Sequence, residues 1–302
     1  MKENTPGAPV IRSNPERGTA TGEVSVTAKA TPLCLIVVPC FNEGSRLPVT
    51  RFTDFLRKVE GINFLFVNDG SRDNTLAVLE TIRSGREDRV QILDMPQNAG
   101  KAEAVRAGLL KAIEQGYGTY VGFWDADLST PLEVIPDFVA LLNGSDRLQM
   151  VFGSRVRLLG RHVARRAGRH YLGRVFASFA SLTLRLPIYD TQCGAKLFRA
   201  TPELASILKK AFLSRWVFDV EILARYIAFY QGGASYLRES IYEFPLPSWY
   251  DVAGSKVRPG DFFKGAIDLF RIYRTYLAGG DNRRSNSPIT VSPATSGGTL
   301  RD

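Results

Sequence analysis

The chain has 302 residues, of which 44% are hydrophobic, so it can bury a sizeable core and is not disordered throughout. Its formal net charge of +9 at pH 7 points to an anionic partner. Three cysteines without a Cys-x-x-Cys pair, accompanied by two histidines, argue against a zinc site or a disulfide framework, and we expect buried, reduced thiols.

The first half of the chain is predicted to alternate between strands and helices. It follows a segment, 1–31, that has no aromatic residue and is expected to be flexible. Runs rich in β-prone residues predict strands at 33–38, 62–67, 90–93, 119–124 and 149–152. Helices are expected between them, at 48–59, after a capping Asp73, at 101–113 and from a capping box at 130–133. This alternation predicts an open, mostly parallel α/β sheet flanked by helices.

Polar residues follow the carboxyl end of every predicted strand. In an open parallel sheet, ligands bind beyond that edge, so these residues are the candidates for a binding site. They are Asn42 and Glu43, Asp69 with Gly70 and Ser71, Asn98 with Gly100 and Lys101, Asp125 and Asp127, and Ser154 with Arg155. If the sheet is parallel, all of them lie on the same edge.

Asp125-Ala126-Asp127 directly follows an apolar strand. Two carboxylates on one short turn can chelate a hard cation, which can in turn bridge a diphosphate. The triplet alone also fits a solvated turn, but its place at a strand end favours the metal site. A P-loop around Gly100-Lys101 is rejected because residue 95 is Met and residue 102 is Ala, and no G-x-G-x-x-G follows a strand.

The second half of the chain is predicted to be basic and largely helical. Seven arginines and both histidines lie between residues 155 and 174, with no acid among them. Arg161, Arg165 and Arg169 are spaced by four, which predicts a basic helical face beside an apolar stripe over 171–186. Further helices are expected at 218–229 and over the apolar stripe 262–277.

Amphipathic helices of this kind can lie in the surface of an anionic membrane. The alternative is an ordinary core helix with a solvated basic face. The longest uncharged apolar stretch of this half, 175–184, is shorter than the roughly 20 residues that a spanning helix needs. We therefore expect the protein to attach peripherally to the cytoplasmic face of a membrane, without a transmembrane helix. The segment 279–302 is expected to be a disordered tail.

Several ordered motifs resemble those of family 2 glycosyltransferases, which have the GT-A fold. They lie at 38–43 (VPCFNE), 67–73 (VNDGSRD), 98–101 (NAGK) and 125–127 (DAD). Later motifs resemble the polyprenyl-phosphate glycosyltransferases within that family, in particular dolichyl-phosphate β-glucosyltransferases. These are 152–155 (FGSR), 190–198 (DTQCGAKLF), 215–221 (RWVFDVE), Trp249 and 254–256 (GSK). The resemblance covers about residues 33 to 278, and it implies one domain over 32–278 with a nucleotide-binding part, 32–155, and an acceptor part, 156–278.

The resemblance implies a role for each matching residue. Donor binding would involve Pro39, Asn42, Glu43, Asp69, Gly70, Ser71, Lys101, Asp125 and Ala126, with Mg²⁺ or Mn²⁺ held by Asp125 and Asp127. Acceptor or phosphate binding would involve Arg155, Lys256, Gln192, Trp216, Asp219 and Glu221. Asp190 matches a proposed catalytic base, and Asp127 and Arg155 would also take part in catalysis.

Some of these residues have alternative interpretations. Asn42 and Glu43 could merely open a helix, 69–71 could be only a turn, Asp190 could be structural, and Glu221 could form a surface pair with Arg225.

The leading hypothesis is an inverting transferase that moves glucose from UDP-glucose to a polyprenyl phosphate of the dolichyl type. A phosphomonoester has its second pKa near ~6, so the acceptor is already an ionised nucleophile and a general base is less necessary. One alternative keeps the fold but uses another donor, such as GDP-mannose, or a non-polyprenyl acceptor. A distant alternative is an inactive basic protein that binds membranes or nucleic acid, although no nucleic-acid partner is expected.

Overall fold

The computed structural model describes residues 33–164, 167–230, 233–250 and 259–278. The segments predicted to be flexible, 1–31 and 279–302, lie outside the described residues, as do Lys256 and the rest of the 254–256 motif. The division of the domain at residue 155 stays a prediction. Hydrophobic residues from both sides of that point, such as Leu35 and Leu269, belong to one core cluster.

The first half alternates strands and helices as predicted. Its elements are β1 (Cys34–Cys40), α1 (Val49–Lys58), β2 (Ile62–Asp69), α2 (Thr75–Arg83), β3 (Val90–Met95), α3 (Lys101–Glu114), β4 (Tyr120–Trp124), α4 (Ile135–Asn143) and β5 (Met150–Ser154). The second half consists of β6 (His162–Ala164), α5 (Ala167–Leu184), β7 (Ala195–Arg199), α6 (Pro202–Leu208), α7 (Phe218–Phe229), α8 (Gly233–Ser240), β8 (Ile241–Pro245), β9 (Ser248–Tyr250) and α9 (Pro259–Ile272), which a π turn (Tyr273–Leu277) extends.

Seven strands form the main sheet in the order β3-β2-β1-β4-β7-β5-β8. The pairs β1–β2, β1–β4, β2–β3 and β5–β8 are parallel, whereas β7 is antiparallel to both β4 and β5. The prediction of a mostly parallel sheet flanked by helices is thus confirmed. The sequence did not predict β7 and β8, and a separate pair joins β6 to β9.

Helices cover both faces of the sheet, so its central strands are buried. All eight residues of β2 are buried, which explains why its apolar residues do not alternate with exposed polar ones. Alternate residues of β1 point to opposite cores: Leu35 and Val37 to one, Ile36 and Val38 to the other. Helix α3 approaches the sheet at Gly108, where an added methyl group would overlap Val37. Burying one Val, Leu or Ile side chain completely contributes about 1.5–3 kcal/mol to the stability of the fold.

Two predicted helix starts are wrong in detail. The backbone N–H of Thr75 donates to Asp73 Oδ1 at 3.0 Å, but Asp73 lies before Asn74, which precedes the first helical residue of α2. The predicted capping box at 130–133 does not form, because a 3₁₀ turn (Leu132–Val134) comes before α4 and the Thr130 hydroxyl lies 3.8 Å from Cys193 Sγ instead of capping a helix. Thr130 instead accepts a hydrogen bond from Trp124 Nε1 through its carbonyl, at 2.9 Å.

The predicted basic helical face is also wrong. Arg161 precedes β6, whereas α5 begins only at Ala167, so Arg161 cannot share a helical face with Arg169. The apolar stripe does form a helix, since α5 includes residues 171–184. Within the described residues, no helix combines the length and the apolar character needed to cross a bilayer.

All three cysteines are free and buried, as expected. Burial raises the pKa of the Cys193 thiol to about 11, so this group stays protonated at neutral pH.

Candidate active site

The parallel register brings the predicted polar residues to one edge of the sheet. Cys40 lies opposite Asn68, and Asp69 lies opposite Met95, so the loops that follow β1, β2 and β3 leave the sheet side by side. Strand β4 runs in the same direction and ends at Trp124, directly before Asp125. The expectation of a shared edge is therefore confirmed.

The loop after β1 is fastened to the loop after β2. Asn42 has a left-handed backbone with φ 53°, its N–H donates to Ser71 Oγ at 3.0 Å, and its Oδ1 accepts from the Arg72 N–H at 2.9 Å. The Glu43 N–H donates to Thr75 Oγ1 at 2.8 Å. Helix α1 begins only at Val49, so Asn42 and Glu43 do not open a helix. Asn42 and Glu43 lie in the loop at the carboxyl end of β1, the strand that contains Pro39. Contact of these three residues with a uridine stays a prediction.

Asp69 holds the loop that leads into α3. One of its carboxylate oxygens accepts from the Ala99 N–H at 2.7 Å, and the other accepts from the Gly100 N–H at 2.9 Å. Burial raises the pKa of Asp69, and these backbone donors oppose the rise. Gly70 has φ 60°, and an added methyl group there would overlap the Asn98 backbone. Asp69 and Gly70 thus hold the loop 98–100 against the end of β2. Contact of Asp69 with the base or ribose stays a prediction.

The Asp125-Ala126-Asp127 turn lies next to a lysine. The Lys101 ammonium is 2.5 Å from Asp125 Oδ1, and Lys101 is the first residue of α3. The Asp125 N–H donates to the Gly194 carbonyl at 2.9 Å, while Asp127 Oδ1 accepts from the Ser129 N–H at 3.0 Å. Burial raises the pKa of Asp127, and the neighbouring Asp125 adds to the rise. Negative charge is therefore concentrated at this turn.

The donor set fits a hard divalent cation. Asp125 already attracts one positive group, and carboxylate oxygens are the ligands that Mg²⁺ and Mn²⁺ prefer. Among the residues that the structure describes, no group of three or more His, Cys, Asp or Glu side chains could hold a metal. The two aspartates would thus supply part of a coordination shell, and the oxygens of a bound diphosphate would complete it.

Asp190 is bound by Arg155. The guanidinium donates through Nε to Asp190 Oδ2 at 2.6 Å and through a terminal nitrogen to Oδ1 at 2.7 Å. Asp190 is 6% exposed, and its own N–H donates to Glu243 Oε1 at 2.6 Å. A carboxylate held in this bidentate way is well placed to orient Arg155. The geometry favours the structural interpretation of Asp190, and a role as general base stays a prediction.

Gln192 lies beside this pair. It lines a small cavity together with Arg155, Arg174, Phe176 and Tyr189. The Cζ atom of Arg174 lies 3.6 Å from the centroid of the Tyr189 ring, and the guanidinium donates a hydrogen bond to the Tyr189 carbonyl at 2.8 Å. The cavity thus places two guanidinium groups beside apolar residues of α5.

Lys196 is a buried lysine that belongs to the 190–198 motif but was not predicted to be a site residue. It is 1% exposed at the centre of the sheet, and its ammonium lies 2.8 Å from Asp219 Oδ1. It also donates to the carbonyls of Thr191 and Cys193, at 2.9 and 2.7 Å. Asp219 is therefore buried in an ion pair with Lys196. This burial argues against the predicted contact between Asp219 and the acceptor.

The prediction that Glu221 contacts the acceptor, and the alternative that it forms a surface pair, are both contradicted. Glu221 is fully buried, and Arg225 donates to its Oε1 at 2.6 Å. Its oxygens also accept from the Leu213 N–H and the Tyr276 hydroxyl, at 2.8 and 3.0 Å. A buried carboxylate with these donors has no oxygen left for a substrate. Trp216 is half-buried and packs 5.9 Å from the ring of Phe176, so its acceptor contact stays a prediction.

A mostly parallel sheet with an Asp-x-Asp turn at the end of a central strand has the GT-A architecture. Residues 35–203 match the model of "Glycosyl transferase family 2". The chain belongs to glycosyltransferase family 2, as its motifs implied.

Its relatives include a dolichyl-phosphate beta-glucosyltransferase of Drosophila melanogaster, which is 32% identical over 273 residues covering 81% of this chain and 75% of the relative. The human dolichyl-phosphate beta-glucosyltransferase is 31% identical over 276 residues, covering 84% of this chain and 79% of the relative.

Solved structures support the fold. The glucosyl-3-phosphoglycerate synthase from Mycobacterium tuberculosis, in complex with Mn²⁺ and uridine-diphosphate-glucose, has a TM-score of 0.57 to this chain at 16% identity. The likeness covers 82% of this chain and 80% of the synthase. At this identity it shows the fold alone.

Proposed function

We propose that this protein is an inverting glucosyltransferase that moves glucose from UDP-glucose to a polyprenyl phosphate at a membrane surface. The observation that carries the proposal is the Asp125-Ala126-Asp127 turn beside Lys101, in a chain whose relatives are named dolichyl-phosphate beta-glucosyltransferases. The names of these relatives support both the sugar and the type of acceptor.

The donor's diphosphate would lie at the end of β4. Asp125 and Asp127 would hold Mg²⁺ or Mn²⁺, which supplies positive charge for the departing nucleoside diphosphate. Lys101 is close enough to Asp125 to contact the same phosphate oxygens, and its positive charge would stabilise the same leaving group. Gly194 and Ser129 keep the two aspartates in place through the hydrogen bonds described above.

The acceptor's phosphate is itself the nucleophile. One of its oxygens forms a bond to the anomeric carbon while the bond from that carbon to UDP breaks on the opposite face, which inverts the configuration. No proton has to be removed from an acceptor that is ionised at neutral pH. Arg155, oriented by Asp190, is suited to holding that phosphate, and the cavity beside Gln192 and Arg174 lies next to it.

Exposed apolar side chains support a membrane-bound acceptor. Helix α5 exposes Phe179 and Leu182, and α9 exposes Ile267 and Phe270. Exposed cations in or directly after these helices include Arg185, Lys264, Arg271 and Arg274. Apolar residues bordered by positive charge fit the surface of a bilayer that contains anionic lipid.

The proposal is tested by incubating the protein with Mn²⁺, radiolabelled UDP-glucose and a polyprenyl phosphate. We expect chloroform-soluble label with the wild type and near-complete loss of turnover in Asp127→Asn, because one metal carboxylate is removed. Asp137→Asn changes an exposed aspartate of α4 and should retain activity.

Parallel reactions with GDP-mannose separate the two donors. An absence of lipid-soluble label with UDP-glucose, GDP-mannose and other common nucleotide sugars would contradict the proposed acceptor. Full activity of Asp127→Asn would contradict the proposed metal site.

A further inference from the structure

Arg215 lies over the donor edge of the sheet. Its aliphatic stem packs on Gly100, where an added methyl group would be 3.5 Å from Arg215 Cδ. Gly100 has φ 94° and directly precedes Lys101, the partner of Asp125. The positive charge of Arg215 also opposes the rise in the pKa of Asp69. The side chain of Arg215 is exposed.

The loop that carries Arg215 is fixed by the C-terminal helix. The Ser214 hydroxyl donates to Asp268 Oδ2 of α9 at 2.6 Å, and it accepts from the Val217 N–H at 2.9 Å. On the other side of Arg215, Trp216 packs against Gly265 of α9, where an added methyl group would be 2.8 Å from the indole ring. The residues before and after Arg215 are thus both held by α9.

The base of the same loop is bound to the buried carboxylate of Glu221. The N–H groups of Leu213 and Ser214 donate to Glu221, at 2.8 and 3.3 Å. Tyr276, in the π turn after α9, donates its hydroxyl to Glu221 at 3.0 Å. These bonds leave the loop backbone little freedom, so the position of Arg215 follows that of α9.

We propose that Arg215 is a donor-binding residue that contacts the diphosphate, and that Asp268 is a positioning residue that acts on it through Ser214. An exposed arginine whose stem packs on Gly100, the residue before Lys101 at the N-terminus of α3, is placed to bind a nucleoside diphosphate through charge-assisted hydrogen bonds. The inference rests on the proposed nucleotide-sugar donor. Arg215 would be a further positive group at the diphosphate, besides Lys101 and the metal ion that the two aspartates would hold.

The test measures the binding of UDP and of uridine by calorimetry, in the presence of Mn²⁺ and without any acceptor. Arg215→Ala should weaken UDP binding by about tenfold or more and leave uridine binding unchanged, because only UDP carries the diphosphate. Asp268→Ala should weaken UDP binding by about threefold or more in the wild type. In the Arg215→Ala background it should cause no further loss, because Asp268 acts only through Arg215.

Ser240→Ala is the matched control. The Ser240 hydroxyl also donates a hydrogen bond, to Tyr236 within α8, and its loss should leave UDP binding unchanged. If Asp268→Ala unfolds, Ser214→Ala tests the same link. Additive losses in the double variant, or equal losses for UDP and uridine, would overturn the inference. Since no transfer step is measured, UDP binding that depends on Arg215 would stand even if the polyprenyl acceptor proved wrong.

Discussion

Gly194 determines where the first aspartate of the metal turn can lie. Its carbonyl accepts from the Asp125 N–H, and a methyl group added to it would overlap the Asp125 carboxylate. The antiparallel strand β7 begins at the next residue, so the turn is enclosed by a neighbouring strand rather than left in solvent. Close approach of this kind requires a residue without a side chain.

Gly194→Ala should therefore impair catalysis more than folding. The added methyl group forces the Asp125 carboxylate to shift by roughly 1 Å, a displacement that can reduce turnover about 100-fold. The measurement is kcat/KM for sugar transfer, together with the Tm. The control is Gly144→Ala, at a position with φ −74° where the nearest heavy atom to an added methyl group is 3.3 Å away. Unchanged turnover in Gly194→Ala would show that the geometry of Asp125 is not critical.

The sequence could identify the site residues but not all of their functions. Asp69 ends β2, Lys101 comes after the loop that follows β3, and Asp125 directly follows β4. The rule that parallel strands end at one edge was enough to group them. The function of Glu221 depends on donors that include Tyr276, 55 residues away in the chain. No spacing in the sequence reveals such a partner, and the short separation from Arg225 wrongly suggested a surface pair.

Of the four strands that the sequence did not predict, the two that belong to the main sheet, β7 and β8, each contain at least one charged residue. Strand β7 has the sequence AKLFR and β8 has IYEFP. Lys196 is buried in β7 because Asp219 neutralises it, and Glu243 of β8 accepts from the backbone of Tyr189 and Asp190. Both partners come from distant parts of the chain. The five predicted ranges carry no charged residue, as in β1 and β4, so they need no such partner and could be recognised from the sequence.

Helix α7 depends on its buried ion pair, and Glu221→Gln should destabilise the protein. The change leaves the Arg225 guanidinium, 6% exposed, without a counter-charge, which costs about 3–5 kcal/mol in comparable buried pairs. The free energy of unfolding from urea denaturation at neutral pH measures the loss.

Asp54→Asn is the control for that change. It removes a surface pair with Arg57 whose side chains are 51% and 65% exposed, and it should cost less than about 1 kcal/mol. Equal losses for the two variants would mean that the Glu221–Arg225 pair contributes no more than a surface pair does.

At the scale of the whole molecule, α5 and α9 join the donor edge to an apolar surface. The two helices meet where Phe176 and Trp216 pack near Gly265. Their outer faces expose Phe179 and Phe270, which are 60% and 61% accessible. A lipid acceptor held at this surface would thus lie against the helix that also fixes the Arg215 loop.

Replacing both exposed phenylalanines should separate membrane binding from donor binding. Phe179→Ser with Phe270→Ser removes apolar area that would enter the bilayer, so binding to vesicles of phosphatidylserine and phosphatidylcholine should fall by at least about tenfold in sedimentation. Binding of UDP should be unchanged, because both side chains are largely exposed on the outer faces of α5 and α9. Wild-type binding should also weaken as salt is raised, since Lys264, Arg271 and Arg274 are exposed on the same helix and its extension. Tyr242→Ser removes an exposed aromatic side chain from β8 and is the control. If this variant lost vesicle binding as strongly, or if the double variant bound vesicles as the wild type does, α5 and α9 would not be the membrane-binding surface.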